Sequence, residues 1–117
     1  MSAQRDKGTK FERLIADYLA ARLGDERIDR MPLHGNDRGD IAGVRTVLGE
    51  RVVIEAKNHA RLNLAGWISE AEVERGNADA AVGVVVFKRA GKAVAAEQYV
   101  LMRLEDFAVL LGAEVAS

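Results

Sequence analysis

Three residues in the middle of the chain have side chains suited to metal-assisted chemistry on phosphate groups: Asp40, Glu55 and Lys57. Asp40 opens one predicted strand, and Glu55 and Lys57 end the next. Successive side chains of a strand alternate between faces, so Glu55 and Lys57 share one face of an otherwise apolar strand. A hairpin turn at residues 48–50 is expected to bring Asp40 back beside Glu55. Two carboxylates next to a lysine can hold a hard divalent cation against a phosphate.

Two alternatives to this interpretation stay open. Asp37 rivals Asp40 as the metal-binding aspartate, and Asp40 is preferred because residues 41–44 follow it with the pattern of a strand. Glu55 and Lys57 could instead form a surface ion pair, which stabilises a protein by about 1 kcal/mol or less.

Apolar periodicity predicts the elements that must position these residues. Helices are expected at residues 7–23, 63–76 and 105–111, and strands at 27–33, 40–47, 51–57, 81–87 and 98–102. The run 81–87 is almost continuously apolar, which is typical of a central strand covered on both faces. In the second helix Trp67 and Ala71 are predicted to face inward, and Glu70, Glu72 and Glu74 outward.

Length and composition predict a single domain over residues 1–117, with 1–6 and 112–117 frayed. The chain is 49% apolar and 30% charged, and it has no cysteine, which excludes disulfides and thiolate zinc sites. No apolar run reaches membrane-spanning length, and residues 1–9 are too polar for a signal peptide. These features predict a cytoplasmic protein without membrane contact, and the family resemblance described next implies a bacterial cell or phage-infected host.

Three segments, Gly8–Arg13, Gly39–Ile41 and Ile54–Lys57, occur in an order and spacing that resemble the PD-(D/E)XK nuclease superfamily. Within it, the chain resembles small Holliday junction resolvases of archaeal and phage type, over roughly residues 7–88. The resemblance implies an α/β fold with a restriction-endonuclease-like core of a helix, a three-strand meander, a helix and a strand. One strand and a C-terminal helix are added, giving a mixed central sheet flanked by helices.

The resemblance also implies a catalytic set of Glu12, Asp40, Glu55 and Lys57. In such nucleases the two central carboxylates, Asp40 and Glu55, bind Mg²⁺, for which Mn²⁺ substitutes. The backbone carbonyl of Ala56 is a further expected ligand, and Glu12 a weaker one. Lys57 is expected to orient the attacking water or to neutralise charge in the transition state.

The expected partner is DNA, held by local patches because the net charge is only −1. The residues predicted to contact it are Lys7, Lys10, Arg13, His34, Asn36, Arg38, Asn58 and Arg61. Charge reversal at Lys10 or Arg13 is expected to cost more affinity than changes at Lys88 or Lys92. The chain departs from the resolvase pattern in two places. His34 and Asn36 stand in a loop that usually carries a serine, and no residue of the second helix is assigned to a glutamine common there.

The sequence therefore predicts a magnesium-dependent endonuclease, specifically a Holliday junction resolvase acting on branched DNA. The alternatives are a less selective nuclease of the same superfamily, serving repair, restriction or phage genome processing, and a non-catalytic DNA-binding module. Because a four-way junction needs two symmetric cuts and one small domain carries one site, a homodimer is also expected.

Overall fold

The computed structural model describes residues 3–32 and 35–116. This part of the chain forms an α/β fold with a five-stranded mixed sheet and three α-helices. The helices are α1 (Ala3–Leu23), α2 (Leu64–Ala78) and α3 (Leu104–Leu110), and the strands are β1 (Asp29–Arg30), β2 (Ile41–Ala42), β3 (Val52–Lys57), β4 (Val82–Phe87) and β5 (Tyr99–Leu101).

The strands lie in the sheet in chain order, from β1 at one edge to β5 at the other. Neighbouring strands are antiparallel except β3 and β4, which pair in parallel with Glu55 opposite Val85 and Lys57 opposite Phe87. α2 is the connection that a parallel pair requires. The predicted central strand at 81–87 is confirmed, because Val82–Val86 are all buried between two neighbouring strands.

Helices cover both faces of this sheet. Phe11 and Ile15 of α1 and Val109 of α3 pack with Ile54 and Val84 on one face. On the other face, Trp67 and Ala71 of α2 pack against Val85. Because strand residues alternate, Glu55 and Lys57 belong to the face that α2 covers.

Both long helices end in hydrogen-bonded caps. At the end of α1, Gly24 has φ +61°, and the amide of Asp25 donates to the carbonyl of Ala20 over 3.0 Å, as in a Schellman motif. The N-cap of α2 is Asn63, whose Oδ1 accepts from the amide of Gly66, and its C-cap is Asp79 with φ +52°. α1 begins at Ala3, four residues before its predicted start.

The first two strands are much shorter than predicted. The predicted strand 40–47 is interrupted at Gly43, whose φ of +86° takes the backbone out of the extended region. A Cβ there would lie 2.6 Å from the carbonyl oxygen of Arg27, so only glycine allows this approach of the two chain segments. Beyond the break, a single bridge between Arg45 and Arg51 continues to the hairpin tip, where Val47 is 94% exposed.

No helix in the described ranges is long and apolar enough to cross a membrane.

Candidate metal centre

The hairpin of β2 and β3 places Asp40 beside Glu55, as the sequence predicts. The amide of Asp40 donates to the carbonyl of Ile54 over 2.8 Å, and Asp40 Oδ2 accepts from the amide of Ala56 over 2.7 Å. The side chain of Asp40 is therefore fixed at the end of β3. Ala56 contacts the site through its N–H, and its carbonyl as a metal ligand stays a prediction.

Gly39 allows this close approach. It is buried with φ +96°, and a Cβ on it would lie 2.9 Å from Val53 Cγ1 and 3.0 Å from the carbonyl oxygen of Ile54. A side chain at this position would push the segment that carries Asp40 away from β3. The glycine before the predicted metal aspartate therefore has a steric role.

Asp40 and Glu55 titrate as a coupled pair. Burial raises the pKa of Asp40 to about 8, and the neighbouring carboxyl of Glu55 adds to that shift. Burial likewise raises the pKa of Glu55 to about 8, although hydrogen bonding with Asp40 and the charge of Lys57 oppose the shift. Without a counter-ion, the two groups share protons near neutral pH.

Glu74 of α2 is a member of this site that sequence reasoning missed. The prediction that it faces outward is wrong, because it is only 2% exposed. Its Oε1 has no hydrogen-bond partner, and burial raises its pKa to about 7. The spacing of four, three and four residues from Trp67 through Ala71 and Glu74 to Ala78 marks the buried stripe of α2. That spacing is the signal that could have identified it.

Asp37 approaches the same position from the loop before β2. Carboxylate oxygens of Asp37, Glu55 and Glu74 all lie within 4.8 Å of one another. The loop is held in place because Asn77 Nδ2 donates to the carbonyl of Asp37 over 2.8 Å and Asp37 Oδ1 accepts from the amide of Gly39. Both rival aspartates, Asp37 and Asp40, therefore lie next to Glu55. Their positions do not decide which of the two is the metal ligand.

Glu12 of α1 reaches the site from the opposite face of the sheet. It is half-buried, and its Oε1 accepts from Arg30 Nε over 3.1 Å. Burial and the charge of Asp40 raise the pKa of Glu12, while Arg30 opposes both effects. We call Glu12, Asp37, Asp40, Glu55 and Glu74 the carboxyl cluster.

Lys57 lies next to the carboxyl cluster, and its ammonium group forms a salt bridge with Glu70 of α2. Its Nζ is 2.7 Å from Glu70 Oε2 and 3.9 Å from Glu55 Oε2. Burial lowers the pKa of Lys57, but the carboxylates of Glu70 and Glu55 outweigh that effect and the pKa is raised overall. Lys57 is therefore charged at neutral pH. The outward prediction for Glu70 missed this contact, although half of its side chain is exposed.

The residues predicted to contact DNA fall into separate places. Lys7 and Asn58 line one groove, while Asn36 and Arg38 line a loop cavity beside Asp37 and Asp40. The guanidinium of Arg13 is paired with Asp29 at 2.8 Å and Asp17 at 3.1 Å. Lys10 and Arg61 are exposed, and the prediction for His34 lies outside the described residues.

The carboxyl cluster fits a divalent cation on its own chemistry. Carboxylate oxygens of Asp37, Glu55 and Glu74 lie within 4.8 Å of one another, and the carboxyl of Asp40 borders Glu55. Lys57 contacts Glu55 at 3.9 Å, and Arg30 contacts Glu12 at 3.1 Å. The buried, unpartnered Oε1 of Glu74 offers a hard oxygen ligand of the kind that Mg²⁺ prefers.

Comparisons with protein-family models, curated proteins and solved structures found no match to this chain. The restriction-endonuclease-like assignment accordingly stays a prediction.

Proposed function

We propose that the protein is a magnesium-dependent endonuclease that hydrolyses phosphodiester bonds in DNA. The observation that carries this proposal is the carboxyl cluster, in which Glu74 Oε1 is buried without a partner and a charged lysine stands at the margin. Ionised carboxyls that converge in a buried site repel one another, and a bound cation removes that repulsion. A purely structural domain gains nothing from such an arrangement.

Asp40 and Glu55 would hold the cation, with Asp37 and Glu74 available on the α2 side and Glu12 on the α1 side. A bound Mg²⁺ supplies a Lewis acid for the phosphate and lowers the pKa of a coordinated water. The charged ammonium of Lys57 lies where it can neutralise negative charge that develops on the phosphate in the transition state. Glu70 keeps that ammonium directed at the cluster.

We further propose that the sheet has the restriction-endonuclease-like architecture. The support is the order of its elements: α1, three antiparallel strands, α2, and then β4 parallel to β3. The motif residues of the sequence lie at the end of β3 and just before β2, where that architecture would need them. Four-way junctions are the proposed substrate, as the resemblance to resolvases implies.

A homodimer follows from junction cleavage, because two symmetric cuts need two sites. The sequence offers two sources of surplus apolar surface for the interface, the run Val82–Phe87 and the Leu64–Ile68 face. Val82–Val86 are buried in the sheet, whereas Leu64 is 42% exposed, so the second segment stays the candidate. Light scattering coupled to size exclusion, with and without junction DNA, tests the dimer. A monomer in both conditions would favour a less selective, single-cut nuclease.

Cleavage of labelled four-way junction, flap, duplex and single-stranded DNA, in magnesium or in chelator, tests the activity. Glu55→Gln is expected to lose cleavage by about a thousandfold, while the protein stays folded and still binds DNA. Glu114→Gln is the matched control, because it removes one exposed carboxylate far along the chain from the site. Undiminished cleavage by Glu55→Gln would refute the proposal.

Asp40→Asn and Asp37→Asn, assayed in parallel, decide between the two aspartates. If Asp40 is the metal ligand, Asp40→Asn loses cleavage as Glu55→Gln does, and Asp37→Asn keeps most of it. The reverse result would mean that the metal ligands are Asp37, Glu55 and Glu74.

A further inference from the structure

A groove of about 630 Å³ lies beside the end of β3, outside the carboxyl cluster. Its walls come from the start of α1, the segment after Lys57, the end of β4 and β5. The residues used below are Lys7, His59, Phe87, Lys88, Arg89 and Tyr99, and we call this the basic–aromatic groove. Its volume is in the range of sites that enclose organic ligands, about 300–1,000 Å³.

The charge of the basic–aromatic groove has one sign. Lys7, Lys88 and Arg89 line it, and no acidic residue does. In the described ranges none of these three side chains forms a salt bridge. By contrast, Arg13 and Arg103 each pair with an exposed carboxylate, Asp29 and Glu105 respectively. The groove therefore keeps its positive charge available to an anionic ligand.

The rings of Phe87 and Tyr99 also line the same groove. The ring of Phe87 lies 5.7 Å from that of Trp67 and 6.0 Å from that of Tyr99, edge to face in the second pair. The guanidinium of Arg89 lies 4.2 Å from the centroid of Tyr99, which is 52% exposed. Flat apolar surface next to cations is the combination on which unpaired bases stack while phosphates are neutralised.

The basic turn that carries these cations is ordered before any ligand arrives. Gln98 is buried, and its Oε1 accepts from the amide of Arg89 over 2.7 Å. Its Nε2 donates to the carbonyls of Lys92 and Val94, both over 2.9 Å. One glutamine thus fixes both ends of the turn, which lowers the entropic cost of binding.

The groove adjoins the proposed catalytic lysine. Asn58 and His59 follow Lys57 directly, and the amide of Lys88 donates to the carbonyl of Lys57 over 2.9 Å. We propose that the basic–aromatic groove binds a strand of DNA that is unpaired at a branch point and leads it to Lys57. This inference rests on the proposed nuclease function. It also reverses the expectation that Lys88 matters less for DNA affinity than Arg13, whose guanidinium is already paired.

Fluorescence anisotropy of a labelled short oligodeoxythymidine tests the inference. We use the Glu55→Gln background in chelator, where cleavage cannot interfere. Lys88→Glu and Tyr99→Ala are each expected to weaken binding by about tenfold, because each loses a phosphate contact or a stacking ring. Tyr99→Phe keeps the ring and should bind within about twofold of the parent. Lys92→Glu is the matched charge control, since Lys92 lies in the same turn but does not line the groove.

Three results would overturn the inference: equal losses for Lys88→Glu and Lys92→Glu, equal losses for Tyr99→Ala and Tyr99→Phe, or tighter binding of a duplex of the same length. Competition by polyglutamate as strong as by unlabelled oligonucleotide would also overturn it, because the groove would then bind any polyanion. Different results would contradict the nuclease proposal and the groove proposal. Groove binding without magnesium-dependent cleavage by the unmodified protein contradicts the activity alone, and cleavage unaffected by the groove variants contradicts the groove alone.

Discussion

The carboxyl cluster and the basic–aromatic groove meet at Lys57 but are opposite in construction. The cluster concentrates one sign of charge around two buried members, Glu55 and Glu74, and leaves Glu74 Oε1 without a partner. The groove is open, carries the other sign and leaves its cations without salt bridges in the described residues. A small hard cation satisfies the first arrangement, and a large anion with flat apolar parts satisfies the second. In the groove, Lys88 Nζ and Arg89 Nη1 donate to backbone carbonyls, so their positive charge is not neutralised by a carboxylate.

Lys57 lies between the two regions. Its replacement should give the largest difference between the effect on cleavage and the effect on DNA binding. Lys57→Ala is expected to cut DNA at least about a hundredfold more slowly, because a charge that stabilises the transition state is gone. Its affinity for oligodeoxythymidine in chelator should stay close to that of the parent. Single-turnover cleavage and anisotropy on the same preparation measure the two effects.

Lys92→Ala serves as the control for Lys57→Ala, since it removes a lysine that belongs to neither region. A defect of Lys57→Ala that lies entirely in binding would move Lys57 to the groove and end its catalytic assignment.

The second largest expected effect is a dependence of stability on pH, which should come from the carboxyl cluster and not from the groove. The folded-state pKa values of Asp40 and Glu55, about 8, and of Glu74, about 7, lie above their ordinary values. The folded protein therefore holds protons that the unfolded chain releases, and the free energy of unfolding of the metal-free protein falls as pH rises from about 4 to about 8.

Magnesium should reverse that loss, because it binds the ionised carboxylates and not the protonated ones. At a hundred times its dissociation constant, a bound cation adds about 2.7 kcal/mol to the free energy of unfolding. Thermal melts from pH 5.5 to 8.5 with and without magnesium should show a shift that grows with pH. A shift that is equal at both ends of the range, or that survives Glu55→Gln unchanged, would contradict binding at the cluster.

Replacement of Glu74 tests the smallest effect, the cost of one buried carboxylate. At pH 8 without metal, Glu74→Gln should raise the free energy of unfolding by about 1 kcal/mol, because it removes a buried charge among like charges. In magnesium the gain should shrink or change sign, since a potential ligand is lost. Glu114→Gln, which removes an exposed carboxylate outside the cluster, provides a comparison. Equal melts for Glu74→Gln and the parent in both conditions would mean that Glu74 neither repels its neighbours nor touches the cation.

How much of this could be predicted from the sequence depends on whether the determining pattern was local. The apolar runs at 52–54 and 82–86 identify β3 and β4, and strand alternation places Glu55 and Lys57 on one face. The pairing of Asp40 with Glu55 needed only a hairpin. Gly43 broke the expected strand because its close approach to Arg27 is a contact across the sheet, which no local pattern reveals.

The missed residues illustrate the same limit. The polarity of Glu74 predicts an outward position, whereas its place in the spacing of Trp67, Ala71 and Ala78 determines its burial. The basic–aromatic groove joins Lys7, His59, Lys88 and Tyr99 from four segments far apart in the chain. Their proximity depends on how α1 and β5 lie around the end of β4, and local propensity carries no information on that.

The exposed hairpin tip has a further consequence for how this molecule could be divided. Val47 is 94% exposed and Leu48 66%, so a break in the chain there removes little packing. The break would leave Glu12, Asp37 and Asp40 on one fragment, and Glu55, Lys57 and Glu74 on the other. Neither fragment alone would have the ligands for a cation. The two fragments would therefore form a complementation pair. Stabilisation by magnesium would return only when the fragments reassemble and β2 pairs with β3.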